Sequence, residues 1–402
     1  MRIKIEEIES VYQLIDRAVA IYEQQEKTEH PIVRDIMDGV AAVNFAVFGR
    51  ADLASFPLSN TDRQILVRQI KDWLVFVRKE LEVRKNIRVK IDYDFHVLMQ
   101  HIKISTKEEL VQEPLQNLLQ IRQKDEDTYQ SLIRFYNAFS HFWGRIDLDC
   151  QEYDLFIDRA GQLKDHFEDF CWLYEHLEDY RSKKVLYSIL HFWLSFDFEV
   201  KRSMKENNFD DYYDFDILQC DENEVMVDLG AYTGDSALSY IENYGRYQKI
   251  YCYEISQESI AKMQQRLSTY ENITIRNVAA GAEKGMMYFK KGAFASSNQI
   301  ADSGEIPVSV VTLDEDISES VTFIKMDIEG SELDAIEGAV EHIRKDKPKL
   351  AICTYHNNHH IWEIPRRLKE INPDYKLYMR YNGGWDSFSV AEFVTFAIYE
   401  EA

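Results

Sequence analysis

Several things are scarce in this chain, and each scarcity rules something out. Across 402 residues there are five cysteines, Cys150, Cys171, Cys220, Cys252 and Cys353, scattered and without a CxxC pair. An odd, dispersed set excludes a disulfide framework and a zinc-binding pair, and points to a reducing, cytoplasmic setting. Basic charge is also short: 47 Lys and Arg stand against 70 Asp and Glu, a net charge of −23. Nucleic-acid binding rests on neutralising phosphates with Lys and Arg, so no nucleic-acid partner is expected. No apolar run approaches the roughly 20 residues that span a bilayer, and no membrane insertion is expected. The opening residues Met1 to Glu7 place charges where a signal peptide has its apolar core. No period repeats, which disfavours a solenoid. Apolar material is plentiful, at 45% of the chain, enough for a sizeable core.

Glycine divides the chain. Up to Phe215 the glycines are Gly39, Gly49, Gly144 and Gly161 alone, and helical periodicity fills that half. Thr61 and Gln64 form a capping-box pair ahead of Leu66, Ile70, Trp73 or Leu74, Val77 and Leu81, and Ser105 with Glu108 forms another. Aromatic stripes such as Phe135, Tyr136, Phe139, Phe142 and Trp143 read as core. The histidines of this half (His30, His96, His101, His141, His166, His176 and His191) include no HExxH and read as surface or satisfied core side chains. The organisation expected is a helical N-terminal domain over 1–150, then a helical lead-in over 151–215, packed on an α/β domain over 216–402. The helical half is also the candidate surface for homo-oligomerisation.

From Glu224 strands and helices alternate, which predicts a parallel, doubly wound sheet with helices on both faces. Its first strand, ending at Asp228, runs into Gly230-Ala231-Tyr232-Thr233-Gly234 and then a helix over Asp235 to Tyr244. The second strand ends on Glu254, and Ser256 caps the next helix. The third runs into Asn277-Val278-Ala279. Met286 to Lys290 and Val308 to Leu313 read as additional strands. Val321 to Asp327 is the fourth main strand, followed by a helix to about Arg344. The fifth reaches His356, and an antiparallel pair, Tyr375 to Tyr381 and Phe393 to Tyr399, closes the chain.

Open α/β sheets bind ligands at the carboxyl ends of their strands, so the turn after Asp228 is the first place to look. Its spacing is Asp-x-Gly-x-x-x-Gly, not the Gly-x-Gly-x-x-Gly that brings backbone N–H groups onto a pyrophosphate. Asp235 at the helix start would repel a pyrophosphate. S-adenosylmethionine carries no phosphate. Backbone N–H groups of Gly230, Ala231, Thr233 and Gly234 can take its carboxylate, while Asp228 orients the turn and the amino group. Glu254 suits a ribose diol, and Asn277 with the Val278-Ala279 backbone lies where an adenine edge is read.

The second half resembles the FkbM family of S-adenosylmethionine-dependent methyltransferases. The stretches that carry this are Val227 to Asp235, Asn277 to Gly281, Val311 to Asp314 and, most characteristic, Ile324-Lys325-Met326-Asp327-Ile328-Glu329-Gly330-Ser331-Glu332. Tyr355-His356 and Trp362 to Pro365 are similar to a bacterial branch. The likeness runs from about Glu224 to Glu400, is weaker over Ser182 to Phe215, and does not reach the first helical part. It implies a Rossmann-like methyltransferase sheet and, usually, O-methylation of a hydroxyl on a glycan or secondary metabolite.

Transfer to a hydroxyl needs a base. Asp327, Glu329 and His356 leave neighbouring strand ends. His356 is the candidate base, because its ordinary pKa lies near neutrality. Asp327 is the alternative base, or orients the acceptor or the cofactor amine, and Glu329 binds acceptor hydroxyls. These three also suit a divalent metal as a minority reading; no metal is expected. Tyr378, Arg380, Tyr381, Trp385 and Asp386 around Gly383-Gly384 form either a sugar-stacking lip or an ordinary turn. The competing functions are an NAD(P)-dependent oxidoreductase and a non-catalytic helical binding protein with a degenerate cofactor fold.

Overall fold

The computed structural model describes residues 87–204, 212–290, 299–301, 306–381, 383 and 390–400, with 72, 75–77, 79, 80, 83, 84 and 86. Outside the described residues lie His30, the Thr61–Gln64 pair with Leu66, Ile70, Trp73, Leu74 and Leu81, and Gly384, Trp385 and Asp386 of the suggested lip. The chain divides into two compact units, Met1–Thr106 and Lys107–Ala402. The boundary expected near residue 150 lies inside the second unit.

In the first unit the helix Lys90–Ile104 buries Ile91, Phe95, Leu98, Met99 and Ile102 on one face. Ser105 belongs to its end: the hydroxyl donates to His101 O at 2.7 Å. The capping role expected of Ser105 for the following helix is therefore not played, because its side chain is turned back one turn. His96 Nε2 pairs with Glu80 Oε1 at 2.6 Å, a satisfied histidine as expected.

The second unit opens with the helices Lys107–Lys124, Glu126–Ala138, Ser140–Trp143, Asp154–Asp165, Phe167–His176, Tyr180–Ser195 and Phe198–Met204. Asp125 and Asp179 cap two of them by accepting from Thr128 N and Ser182 N. Eleven strands follow in two sheets. The large one is built from β1 (Val225–Leu229), β2 (Lys249–Tyr253), β3 (Ile273–Arg276), β8 (Phe323–Met326), β9 (Lys349–Cys353), β10 (Lys376–Tyr381) and β11 (Phe393–Ile398). Its order is β10-β11-β9-β8-β1-β2-β3, parallel throughout except that β11 runs antiparallel between β10 and β9. The α/β reading is thus realised, with the last two strands paired as anticipated. β4 (Ala279–Ala280), β5 (Gly285–Lys290), β6 (Gln299–Ala301) and β7 (Ile306–Val311) make the separate four-stranded sheet.

Every residue of β1, β8 and β11 is buried, as the near-continuous apolar runs of a sheet covered on both faces require. Met226, Ile250, Phe323, Ala351 and Phe396 join Tyr213, Tyr240 and Met263 in one core. The strand order reverses between β1 and β8, which places their carboxyl ends at the switch point where such sheets hold ligands.

One predicted helix is two. The run expected to reach Arg344 breaks into Glu332–Glu337 and Val340–Lys345. Gly338 lies so close to another backbone that a Cβ there would sit 2.1 Å from Gly281 O. The second piece is capped from outside, with Asp314 accepting from Glu341 N and His342 N at 3.0 Å each.

The helical lead-in is bolted to the sheet by one cation. Arg380, 1% exposed, donates to Asp214, to Asp179 at 2.7 Å and to the Ser182 hydroxyl at 2.9 Å. Buried Arg380 and Tyr381 therefore do not form a sugar-stacking lip. Replacing Arg380 with Met leaves buried Asp214 with Arg181 as its one cation beside the Asp216 N–H, and is expected to cost about 3 kcal/mol of unfolding free energy in urea titration, partly restored in the Asp214→Asn, Arg380→Met double variant.

Candidate active site

The turn after β1 is pressed onto the end of β8. Gly230 has φ +76°, and a Cβ on it would lie 1.8 Å from Asp327 O, so only glycine fits. Tyr232 takes φ +45° without being glycine and stands 45% exposed at the mouth of the turn. The turn's donors are engaged inside the protein. Gly230 N and Ala231 N both donate to Tyr253 O, at 3.1 and 3.0 Å, and Gly234 N donates to Ala231 O at 2.7 Å. Tyr232 N donates to Glu254 Oε2 at 2.9 Å. The expectation that the N–H groups of Gly230, Ala231 and Gly234 face a ligand is corrected on this geometry. Ala231 is buried, and the Thr233 hydroxyl accepts from Arg266 at 2.6 Å.

Asp228 is wholly buried beneath the turn, accepting from the Ser236 hydroxyl and standing 3.0 Å from Lys325 Nζ. It orients the turn from below and is out of reach of a bound amine. Glu254 is half-buried at the tip of β2, with Oε1 accepting from Ile255 N and Ser256 N at 2.8 and 2.7 Å. Burial raises its pKa against the pull of these N–H groups and that of Tyr232. Asn277 is exposed beside it; its amide donates to Glu254 O at 3.0 Å and accepts from Gln257. Val278 is half-buried and Ala279 buried.

The strand ends of β8 and β9 bring Asp327, Glu329 and His356 together. His356 Nε2 is 3.5 Å from Asp327 Oδ1 and 3.4 Å from Glu329 Oε2, while Nδ1 is 2.8 Å from Glu332 Oε1. Glu332 is fully buried; the same Oε1 accepts from Ile328 N at 3.0 Å, and Oε2 lies 3.3 Å from His360 Nδ1, in ion-pair range. Burial alone would raise Glu332, but His356 and His360 hold it well below the carboxylate range. Burial likewise disfavours an imidazolium at His356, yet Glu332 and then Glu329 outweigh it and hold the ring well above its ordinary value. At 1% exposure the ring is enclosed, with its two nitrogens turned to Asp327, Glu329 and Glu332.

Glu329 offers the complementary property. It sits at φ +55°, a left-handed conformation forced by the turn, with 29% of its side chain exposed. Burial pushes its carboxyl up to about 7, with His356 pulling the other way. Asp327 accepts from Tyr212 OH at 2.7 Å and from Tyr355 OH at 3.3 Å. Asp327, Glu332 and His356 also have ligand atoms mutually within 4.8 Å.

Three residues were not anticipated at the site. Tyr212 comes from the acidic, aromatic end of the lead-in expected to pack on the α/β domain; two tyrosines next to each other there were the available signal. Phe142, from the helix Ser140–Trp143, packs its ring 5.2 Å from that of His356, and Trp143 Nε1 donates to Tyr355 O at 2.8 Å. The donor set fits S-adenosylmethionine. The carboxylates of Glu254 after β2 and of Asp327 and Glu329 after β8, on either side of β1, match hydroxyls and a cationic amine, and oppose a phosphate.

Residues 228–383 match the family model of the methyltransferase FkbM domain, which implies S-adenosylmethionine as methyl donor. The solved FkbM methyltransferase of Methylobacillus flagellatus superposes with a TM-score of 0.52 and 25% identity over 61% of this chain. The match covers 63% of that protein, less than two thirds of its length. An rRNA methylase from Streptococcus thermophilus aligns at 14% identity and TM-score 0.30 over 45% of this chain and 89% of that one. Aeropyrum pernix fibrillarin with bound S-adenosyl-L-methionine aligns at 13% identity and TM-score 0.28 over 44% and 67%. No curated protein matches the chain. Among the described residues no helix is long and apolar enough to cross a membrane.

The Glu332–His356 pair predicts a pH signature. A lowered Glu332 stabilises above its ordinary value of 4.5 and loses this as pH falls through its folded value; a raised His356 stabilises fully below 6.5 and loses this as pH rises through its folded value. The difference in melting temperature between the wild type and Glu332→Gln is therefore expected to be largest at about pH 4.5–6.5 and to shrink towards alkaline pH. A difference that stays flat from about pH 5 to 9 would contradict the assignment.

Proposed function

We propose that this chain, whose C-terminal half is an FkbM-type methyltransferase domain, is an S-adenosylmethionine-dependent O-methyltransferase acting on a hydroxyl of a glycan or secondary metabolite. The observation that carries the reading is Glu329, a carboxylate at a strand end, partly open to solvent, with its pKa pushed up to about 7. An alcohol is a weak nucleophile until its proton is taken, and a base that titrates near neutrality does this most effectively. S-adenosylmethionine, when bound, supplies a methyl group already activated by its sulfonium.

The remaining work falls to this chain's residues. Glu254 accepts from the ribose hydroxyls through the lone pairs its backbone bonds leave open, and the backbone at Asn277, Val278 and Ala279 borders the adenine. Gly230, Ala231, Thr233 and Gly234 shape the floor, with Asp228 beneath them. Asp327, oriented by the hydroxyls of Tyr212 and Tyr355, holds the cofactor amine. His356 is a fixed cation. It draws Glu329 down from the still higher value that burial alone would impose, so that the carboxylate is available at neutral pH. The excess of carboxylates favours a neutral or cationic acceptor over a phosphorylated or uronic one.

Calorimetry is expected to give binding with S-adenosylmethionine and none with NAD; preference for NAD would end the proposal. Glu329→Gln should keep the cofactor affinity while labelled methyl transfer to a glycoside and polyketide panel falls by about 10²–10⁴-fold. The wild-type rate should rise through an apparent pKa near 7, and an unchanged rate and profile in Glu329→Gln would remove Glu329 as base.

A further inference from the structure

Lys325 is 2% exposed in the middle of the sheet, a position that ordinarily goes to an apolar residue. It is the register partner of Asp228 across the β1–β8 pairing. Its ammonium stands 3.0 Å from Asp228 Oδ1, 2.9 Å from Gly230 O and 3.3 Å from Leu229 O, and 4.9 Å over the ring of Tyr212. Burial disfavours the charge, but Asp228 and Asp327 outweigh it and the ammonium is retained.

The two carbonyls are informative. In an extended strand successive carbonyls point to opposite sides, yet those of Leu229 and Gly230 both point at Lys325, which the φ of +76° at Gly230 makes feasible. A trans peptide aims its N–H opposite to its C=O. The N–H groups that follow these carbonyls, those of Gly230 and Ala231, both reach Tyr253 O. Two consecutive peptides are thus held at both ends, by β2 on one side and by a single side chain of β8 on the other. We infer that Lys325 is a positioning residue for the glycine turn, fixing the peptide planes at Leu229–Gly230 and Gly230–Ala231 on which cofactor affinity depends. The inference rests on the reading of that turn as the S-adenosylmethionine site.

Lys325→Met alone strands the buried Asp228 charge, so the deciding variant is Asp228→Asn, Lys325→Met, which removes both charges; Asp228→Asn, which keeps an oxygen facing Lys325, is the control. The double variant is expected to melt within a few degrees of the wild type while its affinity for S-adenosylhomocysteine falls at least about tenfold by calorimetry, well beyond the loss in the control. Without ligand, deuterium exchange over residues 229–234 should quicken in the double variant, with β9 and β11 unchanged. Wild-type affinity in the double variant, or equal losses in double variant and control, would overturn the inference. So would failure of the double variant to fold, since the pair would then support the whole sheet. If the wild type itself does not bind S-adenosylhomocysteine, the cofactor reading fails, and exchange in the unliganded turn alone decides the role of Lys325.

Discussion

One buried carboxylate sets the state of the rim. Glu332 has no exposed surface, and a charge so placed survives only if its lone pairs are met. Oε1 accepts from Ile328 N, Gly330 N and His356, and Oε2, without a hydrogen bond of its own, stands 3.3 Å from His360 Nδ1; these partners come from the loop after β8 and from the segment after β9. Satisfying that charge brings the two segments together and protonates His356. The imidazolium in turn draws Asp327 and Glu329 to within 3.5 Å of it. The left-handed turn at Glu329 and Gly330, strained in isolation, persists because both flanking N–H groups are anchored on Glu332.

Acids along the strand ends consequently divide by burial. Asp228 and Glu332 are sealed in and neutralised by Lys325 and His356, so they act on backbone geometry. Glu254, Asp327 and Glu329 are only partly buried. The same residue type is scaffolding at one depth and, on the proposed reading, ligand chemistry at another.

That depth dependence explains what the sequence disclosed. Apolar strand runs, the glycine spacing and Ser256 as a cap are local signals, and the seven strands of the large sheet and the helix from Gln257 appear where local reasoning puts them, whereas β4 and β6 were not read as strands. Asp327, Glu329 and His356 were legible as a convergent group, because parallel strands deliver their carboxyl ends to one edge. The roles within the group were not legible. Whether a histidine is base or cation depends on the burial of a carboxylate 24 positions away in sequence, here Glu332 at Nδ1. Tyr212 escaped notice because its partner, Asp327, is 115 residues distant. The helix break at Gly338 depends on contact with Gly281, and the unit boundary at Thr106 on how the helices from Lys107 onward pack with the sheet. Tertiary contacts decided each of these.

The helix Ser140–Trp143 bears on how the rim is built. Phe142 lies against His356, its ring 3.7 Å from where a Cβ on Gly330 would stand, and Trp143 is tied to the Tyr355 carbonyl. A Cβ at position 330 would meet the Asn357 amide at 3.2 Å and would strain a backbone at φ +96°, so glycine there serves the turn. Arg380, joining Asp179 of the lead-in to β10, holds the lead-in against the sheet. On the proposed reading an aromatic ring from a helix before the sheet stands beside carboxylates that the strands supply, so the acceptor side would be set by a different segment from the donor side.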